Sequence, residues 1–352
     1  MVDGAAGSPA AAGSQPVTLA FAGAGWVAAV HGYAVEHLPD VQITRVASRD
    51  PRRAAEAARR IGAEACTYDE LPAGADGVVI CTPPAQHAGQ ALAALAAGAG
   101  VLVEKPLCTT LEEADQLVAA AEHGCLAYAE NLVHAPAVRL AMAHVAQLDD
   151  VDLIEVRALQ GRPTWGDFLT EGWGGGVLFD LGAHPLAIGL LLAAPARPVE
   201  LRAVLEGAED HPLDDHAEVT IQLDTGGQLR VVTSYRHGSS PAWDAQVSSP
   251  DGVVRLELMP HLLLERNGVE VRLPERPDGV PAPLVDLGYL GQVAAFARDL
   301  AAGRSPEVGA AFGRSVLDIT CAAYASAADG GAWVSLPFAG PRNLTPHALW
   351  RR

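Results

Sequence analysis

The chain has 352 residues, enough for about two domains with separate cores, and 49% of them are hydrophobic against 19% charged, the balance of a globular protein rather than a disordered one. A formal net charge of −18 excludes non-specific nucleic-acid binding, which needs a basic surface, while local arginines remain able to hold a small anion. The five cysteines (Cys66, Cys81, Cys108, Cys125, Cys321) are scattered without metal-ligand spacing, so they read as reduced, mostly core thiols; no metal site is expected, and a cytoplasmic setting is.

Residues 1–16 are rich in Ala, Gly, Ser and Pro, with neither a basic start nor an apolar segment, and read as a flexible tail rather than a signal peptide. No apolar run approaches the ~20 residues that span a bilayer, so no membrane partner is expected. Residues 17–22 read as a short buried strand. Gly23-Ala24-Gly25-Trp26-Val27-Ala28 comes at once and leads into a helix to about residue 37. This is G-x-G-x-x-A between strand and helix, the context a dinucleotide site requires. Gly23 permits the tight turn, Gly25 lets backbone approach a pyrophosphate, and Ala28 allows close helix packing, with the backbone at Trp26 and Val27 opening the helix toward the anion.

The next strand, 42–47, ends in Ser48-Arg49 where an NAD-specific site usually carries an acid. Asp50-Pro51 reads as a helix N-cap followed by proline at the first helical position. Ser48 and Arg49, with Arg52 and Arg53 nearby, suit a 2′-phosphate, so NADP(H) is favoured over NAD(H). Strands at 77–81, 100–104 and 125–130 alternate with helices at 87–97 and 111–123, which predicts a parallel sheet with right-handed crossovers. Ligands bind such sheets beyond the carboxyl ends of the strands. Cys81, Thr82, Pro83, His87, Glu104, Lys105 and Asn131 all fall at or beside that rim. Lys105 is the only lysine among 24 basic residues. Arginine does not titrate in proteins, whereas a lysine amine does, so one lysine at a strand end marks a candidate reactive group.

From about residue 151 the pattern changes to strands at 151–160, 199–205, 217–223, 228–235, 253–258, 262–265 and 269–273, with turns at Thr225-Gly226-Gly227, Pro250-Asp251-Gly252 and Arg266-Asn267-Gly268. Tight turns between strands predict an open antiparallel sheet with helix on one face, and such a face suits self-association. Helices are expected at 287–302 and 310–327. Between the halves, Gly174-Gly175-Gly176 precedes Asp180 and His184. Were this segment one helix, the two ionisable groups would share a face. A buried structural pair and a site lining a cavity are both open readings.

These pieces together resemble the Gfo/Idh/MocA oxidoreductase family. The marks are the glycine turn at 23–28, Cys81-Thr82-Pro83-Pro84 with His87, Glu104-Lys105-Pro106, the run from Gly174 through Asp180 to His184, and the tail Gly340-Pro341-Arg342-Asn343-Leu344-Thr345-Pro346 with Trp350. The resemblance implies an α/β fold: a Rossmann parallel sheet over 17–135 and an α+β domain with an open, mainly antiparallel sheet over 136–352, for substrate binding and assembly as a homodimer or homotetramer. It implies NAD(P)-dependent hydride transfer to or from a sugar, sugar derivative or cyclitol, with Lys105, Asp180 and His184 as the catalytic set. Histidine ordinarily titrates near neutrality, which favours His184 as general acid/base, with Lys105 the rival and Asp180 orienting the substrate or the histidine. His134, Arg162, Trp165 and Trp173 are candidate substrate contacts. Glycoside cleavage through transient oxidation, and cofactor sensing without chemistry, are the alternative readings.

Overall fold

The computed structural model describes residues 15–164, 168, 170–207 and 211–351; of the expected tail only Gln15 and Pro16 fall among them. The first half runs β1 (Val17–Ala22), α1 (Trp26–Val35), β2 (Val41–Ala47), α2 (Pro51–Ile61), β3 (Glu64–Cys66), β4 (Gly77–Ile80), α3 (Pro84–Ala96), β5 (Gly100–Glu104), α4 (Leu111–Ala121) and β6 (Leu126–Ala129). Its six strands form one parallel sheet in the order β3-β2-β1-β4-β5-β6. The inner strands β4 and β5 are buried along their whole length, as a sheet covered on both faces demands. Strand order reverses between β1 and β4, which opens a crevice at their carboxyl ends.

The second half contains α5 (Pro136–Val145), β7 (Leu153–Leu159), α6 (Val177–Asp180), α7 (Ala183–Ala193), β8 (Pro198–Gly207), β9 (Asp214–Leu223), β10 (Gln228–Ser234), β11 (Ala242–Ser249), β12 (Gly252–Met259), β13 (Leu263–Arg266), β14 (Val269–Glu270), α8 (Ala282–Asp286), α9 (Tyr289–Ala302), α10 (Ala310–Ala328), β15 (Val334–Ser335) and α11 (Pro346–Trp350). Nine strands pair in the order β14-β13-β12-β11-β7-β10-β9-β8-β15. All neighbours are antiparallel except β7 and β10. β11 is absent from the strands expected above, yet it pairs with both β7 and β12 near the sheet's centre. Its Ala-Trp-Asp-Ala-Gln-Val-Ser-Ser is too polar to read as a strand by itself. Ala245 and Val247 are buried and Trp243 packs half-buried on the same core face, while the neighbours on either side make up the difference. α9 crosses back to the first sheet, where Val293 and Phe296 bury among Leu19, Phe21, Val79 and Leu102. No single helix among the described residues is long and apolar enough to cross a bilayer, and the bent pair α6 and α7 is core.

The triglycine has a packing cause. A Cβ on Gly176 would collide with the backbone oxygen and carboxylate of Asp214, and one on Gly175 would meet Phe179 and the Tyr324 hydroxyl. Room for these contacts lets the Gly176 and Leu178 amides donate to Asp214 at 3.0 and 2.9 Å, while the Tyr324 hydroxyl donates to the same carboxylate at 2.6 Å. A buried acid thus caps the first turn of α6. Burial pushes the Asp214 pKa up, against the lowering effect of these donors. Asp180 closes α6 and His184 lies in α7, so the two do not sit on one helix face as the spacing suggested; Leu181 and Gly182 break the run. Gly176→Ala should lose about 1–3 kcal/mol of stability in urea unfolding, because the Asp214 backbone oxygen opposes the new methyl. A loss below about 1 kcal/mol would contradict this account.

Candidate active site

The glycine turn is built as a nucleotide site requires. Gly23 adopts φ +112° with the Cys81 carbonyl oxygen 2.7 Å from where a Cβ would stand, so only glycine joins β1 to α1 this close to β4. A Cβ on Gly25 would meet nothing within 4 Å, and no side chain caps α1. The positive end of the α1 dipole thus lacks a side-chain cap, with open space beside Gly25, a combination that fits a pyrophosphate. Trp26 is exposed at that turn and Val27 half-buried. At the end of β2, Asp50 accepts the Arg52 amide at 2.9 Å as the N-cap of α2. Arg49 stands exposed beside half-buried Ser48, and Arg53 reaches the Ala24 carbonyl across the turn at 3.4 Å.

Lys105 comes directly after β5 and meets α6. Its Nζ donates to Asp180 Oδ1 at 2.9 Å and to the Asp180 carbonyl at 3.1 Å, with 18% and 9% of the two side chains exposed. The Tyr235 hydroxyl donates to Asp180 Oδ2 at 2.5 Å, so each carboxylate oxygen has its own donor. Burial pulls the lysine pKa down, but Asp180, with Glu104 and Glu130 behind it, outweighs that and holds the ammonium above its ordinary value. The amine is thus a charged donor in this arrangement, not a free base.

His184 is held separately. Its Nδ1 lies 2.6 Å from Glu130 Oε1, and the ring leans on Trp243 at 5.3 Å between centroids. A carboxylate only accepts, so Nδ1 carries the proton and Nε2 is the basic nitrogen, which has no hydrogen-bond partner among the described residues. Asp180 therefore does not orient the histidine, as one expectation above had it; Glu130 does. Glu130 is fully buried at the end of β6 and also acts on the Lys105 ammonium, so both pairs belong to one cluster.

Several expected contacts have other tasks. Glu104 accepts His31 Nε2 at 2.6 Å and the Lys105 amide at 3.1 Å, tying α1 to the end of β5. His87 sits buried between the Thr82 and Pro106 carbonyls at 2.7 and 2.9 Å, where it joins two rim segments rather than facing open space. The Thr82 hydroxyl donates to Gln90, and Pro83 precedes α3. Asn131 donates to the Leu287 carbonyl at 2.6 Å, anchoring the turn before α9. His134 lines a cleft under α9 that shares no lining residue with the Lys105 cluster, so the structure does not bring it together with that cluster. Trp173 packs on Phe168 at 4.6 Å. Arg162 lies 3.8 Å from Asp215, whose carbonyl accepts the Tyr235 amide. Trp165 lies outside the described residues. Among the described residues no group of three or more His, Cys, Asp or Glu is placed to hold a metal. Tyr235, Glu130 and His31 were not foreseen. Glu130 had a signal, its place at a strand end beside Asn131; Tyr235 and His31 had none.

Comparison with known proteins shows the family. Residues 17–131 match the Gfo/Idh/MocA model described as an oxidoreductase family with an NAD-binding Rossmann fold, and residues 143–255 match the Gfo/Idh/MocA C-terminal domain. A dTDP-3,4-didehydro-2,6-dideoxy-alpha-D-glucose 3-reductase from Saccharopolyspora spinosa is 30% identical over 282 residues, covering 75% of this chain and 81% of that protein. The enzyme of the same name from Actinomadura kijaniata is 32% identical over 257 residues, covering 65% of this chain and 75% of that one. The crystal structure of GenD2 from gentamicin A biosynthesis in complex with NAD superposes with a TM-score of 0.82 at 27% identity, over 94% of this chain and 99% of that one. With its glycine turn, its lysine at the end of β5 and both domains matched, the chain belongs to the Gfo/Idh/MocA family of pyridine-nucleotide oxidoreductases.

Proposed function

We propose that this chain interconverts a carbinol and a carbonyl on a sugar, sugar derivative or cyclitol. The observation that carries the reading is the pairing of a charged lysine donor with a separately held, free imidazole nitrogen at the strand ends beside the glycine turn. The similar reductases named above act on nucleotide-activated sugars, which suits the same chemistry. A bound nicotinamide supplies or accepts the hydride. The protein's part is the proton and the charge. His184 Nε2 takes the hydroxyl proton on oxidation and returns it on reduction. The Lys105 ammonium hydrogen-bonds the reacting oxygen and stabilises the negative charge that develops there. Asp180 and Tyr235 keep the ammonium in place, and Glu130 keeps the imidazole in the tautomer the proton transfer needs.

NADP(H) is the cofactor this reading favours. Asp50 is engaged as a helix cap, and Ser48, Arg49 and Arg53 are the groups left near a ribose 2′ position. The face of the second sheet bearing the cross-strand pairs Arg157–Asp244 and Arg230–Glu155 is where copies would meet in a homodimer or homotetramer. Free thiols at all five cysteines suit the cytoplasm.

Lys105→Met should keep nucleotide affinity and lower turnover at least ~100-fold on an accepted substrate, found by following reduced-cofactor absorbance across dTDP- and UDP-sugars, free sugars and inositols; near-normal turnover removes the role. Glu130→Gln should lower kcat about 10-fold or more with KM little changed, since an amide also offers a donor to Nδ1 and loosens the tautomer. An equal drop in KM and kcat, or none, would argue against positioning. Fluorescence titration should find NADPH tighter than NADH, with Arg49→Ala narrowing the gap. Tighter NADH binding overturns the cofactor preference and leaves the rest standing.

A further inference from the structure

We infer that the cleft between α9, the edge strand β6 and the loop over residues 304–309 is a second binding site, for a small organic anion whose carboxylate or phosphate is accompanied by further hydrogen-bonding groups. Its volume is about 630 Å³, inside the range of small-molecule sites, and none of its lining residues belongs to the Lys105 cluster. The wall is apolar at Leu102, Ala127 and Phe296. Against it lies Gln292, 1% exposed, with neither its amide nitrogen nor its amide oxygen bonded to any described protein group. Buried amides in native proteins are paired as a rule, and this one offers a donor and an acceptor together. A ligand that satisfies both must itself accept and donate, as a hydroxyl does.

The mouth supplies the charge. Arg139 binds Glu307 through both nitrogens at 2.8 and 3.2 Å, and Arg304 binds Asp299 at 3.1 Å. Arg298 has no hydrogen-bond or ion-pair partner among the described residues. Three guanidiniums against two carboxylates leave one uncompensated positive charge on a chain whose net charge is −18. His134 completes the lining: burial, then Arg139, pushes its pKa down to about 4, so it adds a neutral ring rather than a second cation. The site thus matches one negative charge plus a hydroxylated body.

The test is calorimetric titration of the full chain, saturated with reduced cofactor, by glycerol 3-phosphate, malate, inorganic phosphate and uncharged glycerol. Glycerol 3-phosphate or malate should bind once per chain, and whichever does identifies the anion as phosphate or carboxylate. Arg298→Ala, a surface change that spares the fold, and Gln292→Leu should each weaken that binding at least ~10-fold without altering turnover. Absence of heat from both organic anions overturns the inference. So does binding that neither variant weakens, and so does binding of inorganic phosphate as tight as theirs and indifferent to Gln292→Leu.

Discussion

The Lys105–Asp180 pair is the constraint on which the site depends. It joins the end of a Rossmann strand to a one-turn helix from the other half, and both side chains are largely out of water. Removing one partner from such a pair strands a buried charge at a cost of about 3–5 kcal/mol, so the halves are locked in register wherever the pair forms. The short helix does not stand on its own propensity. Asp214 and Tyr324 grip its first amides through space that Gly175 and Gly176 leave open. The chain from Asp214 to Gly176 to Asp180 to Lys105 is therefore one mechanical path from the second sheet to the first.

Three acid–base contacts repeat one design at the carboxyl ends of β5 and β6. Glu104 meets His31, Lys105 meets Asp180, and Glu130 meets His184. The first ties α1, and with it the nucleotide turn, to the strand that delivers the lysine. The other two hold the lysine and the histidine through different carboxylates. In the proposed reaction a lysine kept charged by neighbouring carboxylates would serve as a donor, and a histidine with one nitrogen committed to a carboxylate would serve as a base through the other. The environments of the two side chains, rather than their residue types, are what favour the histidine over the lysine as proton acceptor in the proposed reaction.

Much of the first sheet was legible because its signals are local. Strands β1, β2, β4, β5 and β6 are short apolar runs bounded by turns, and the glycine spacing places the cofactor end. The second sheet was read strand by strand apart from the two-residue edge strand β15 and from β11, whose inward Trp243, Ala245 and Val247 acquire meaning only between β7 and β12. The split of α6 from α7 escaped the spacing argument because Gly182 packs against the Leu178 carbonyl, a contact no periodicity encodes. His87 and Asn131 were read as ligand contacts since strand ends face ligands, yet a strand end must also be fastened to the neighbouring loops and helices.

By itself the sequence determined the layers, the glycine turn, the one lysine at a strand end and the acid and histidine four residues apart, because each rests on neighbours along the chain and on backbone periods of 2 and 3.6. Only the tertiary structure decided which acid serves which base. Asp180 turned to Lys105 and Tyr235, 75 and 55 residues away, and His184 turned to Glu130, 54 residues away. Such pairings arise when two sheets dock and bury charges that must find partners. That requirement belongs to the packed solid, not to any stretch of chain.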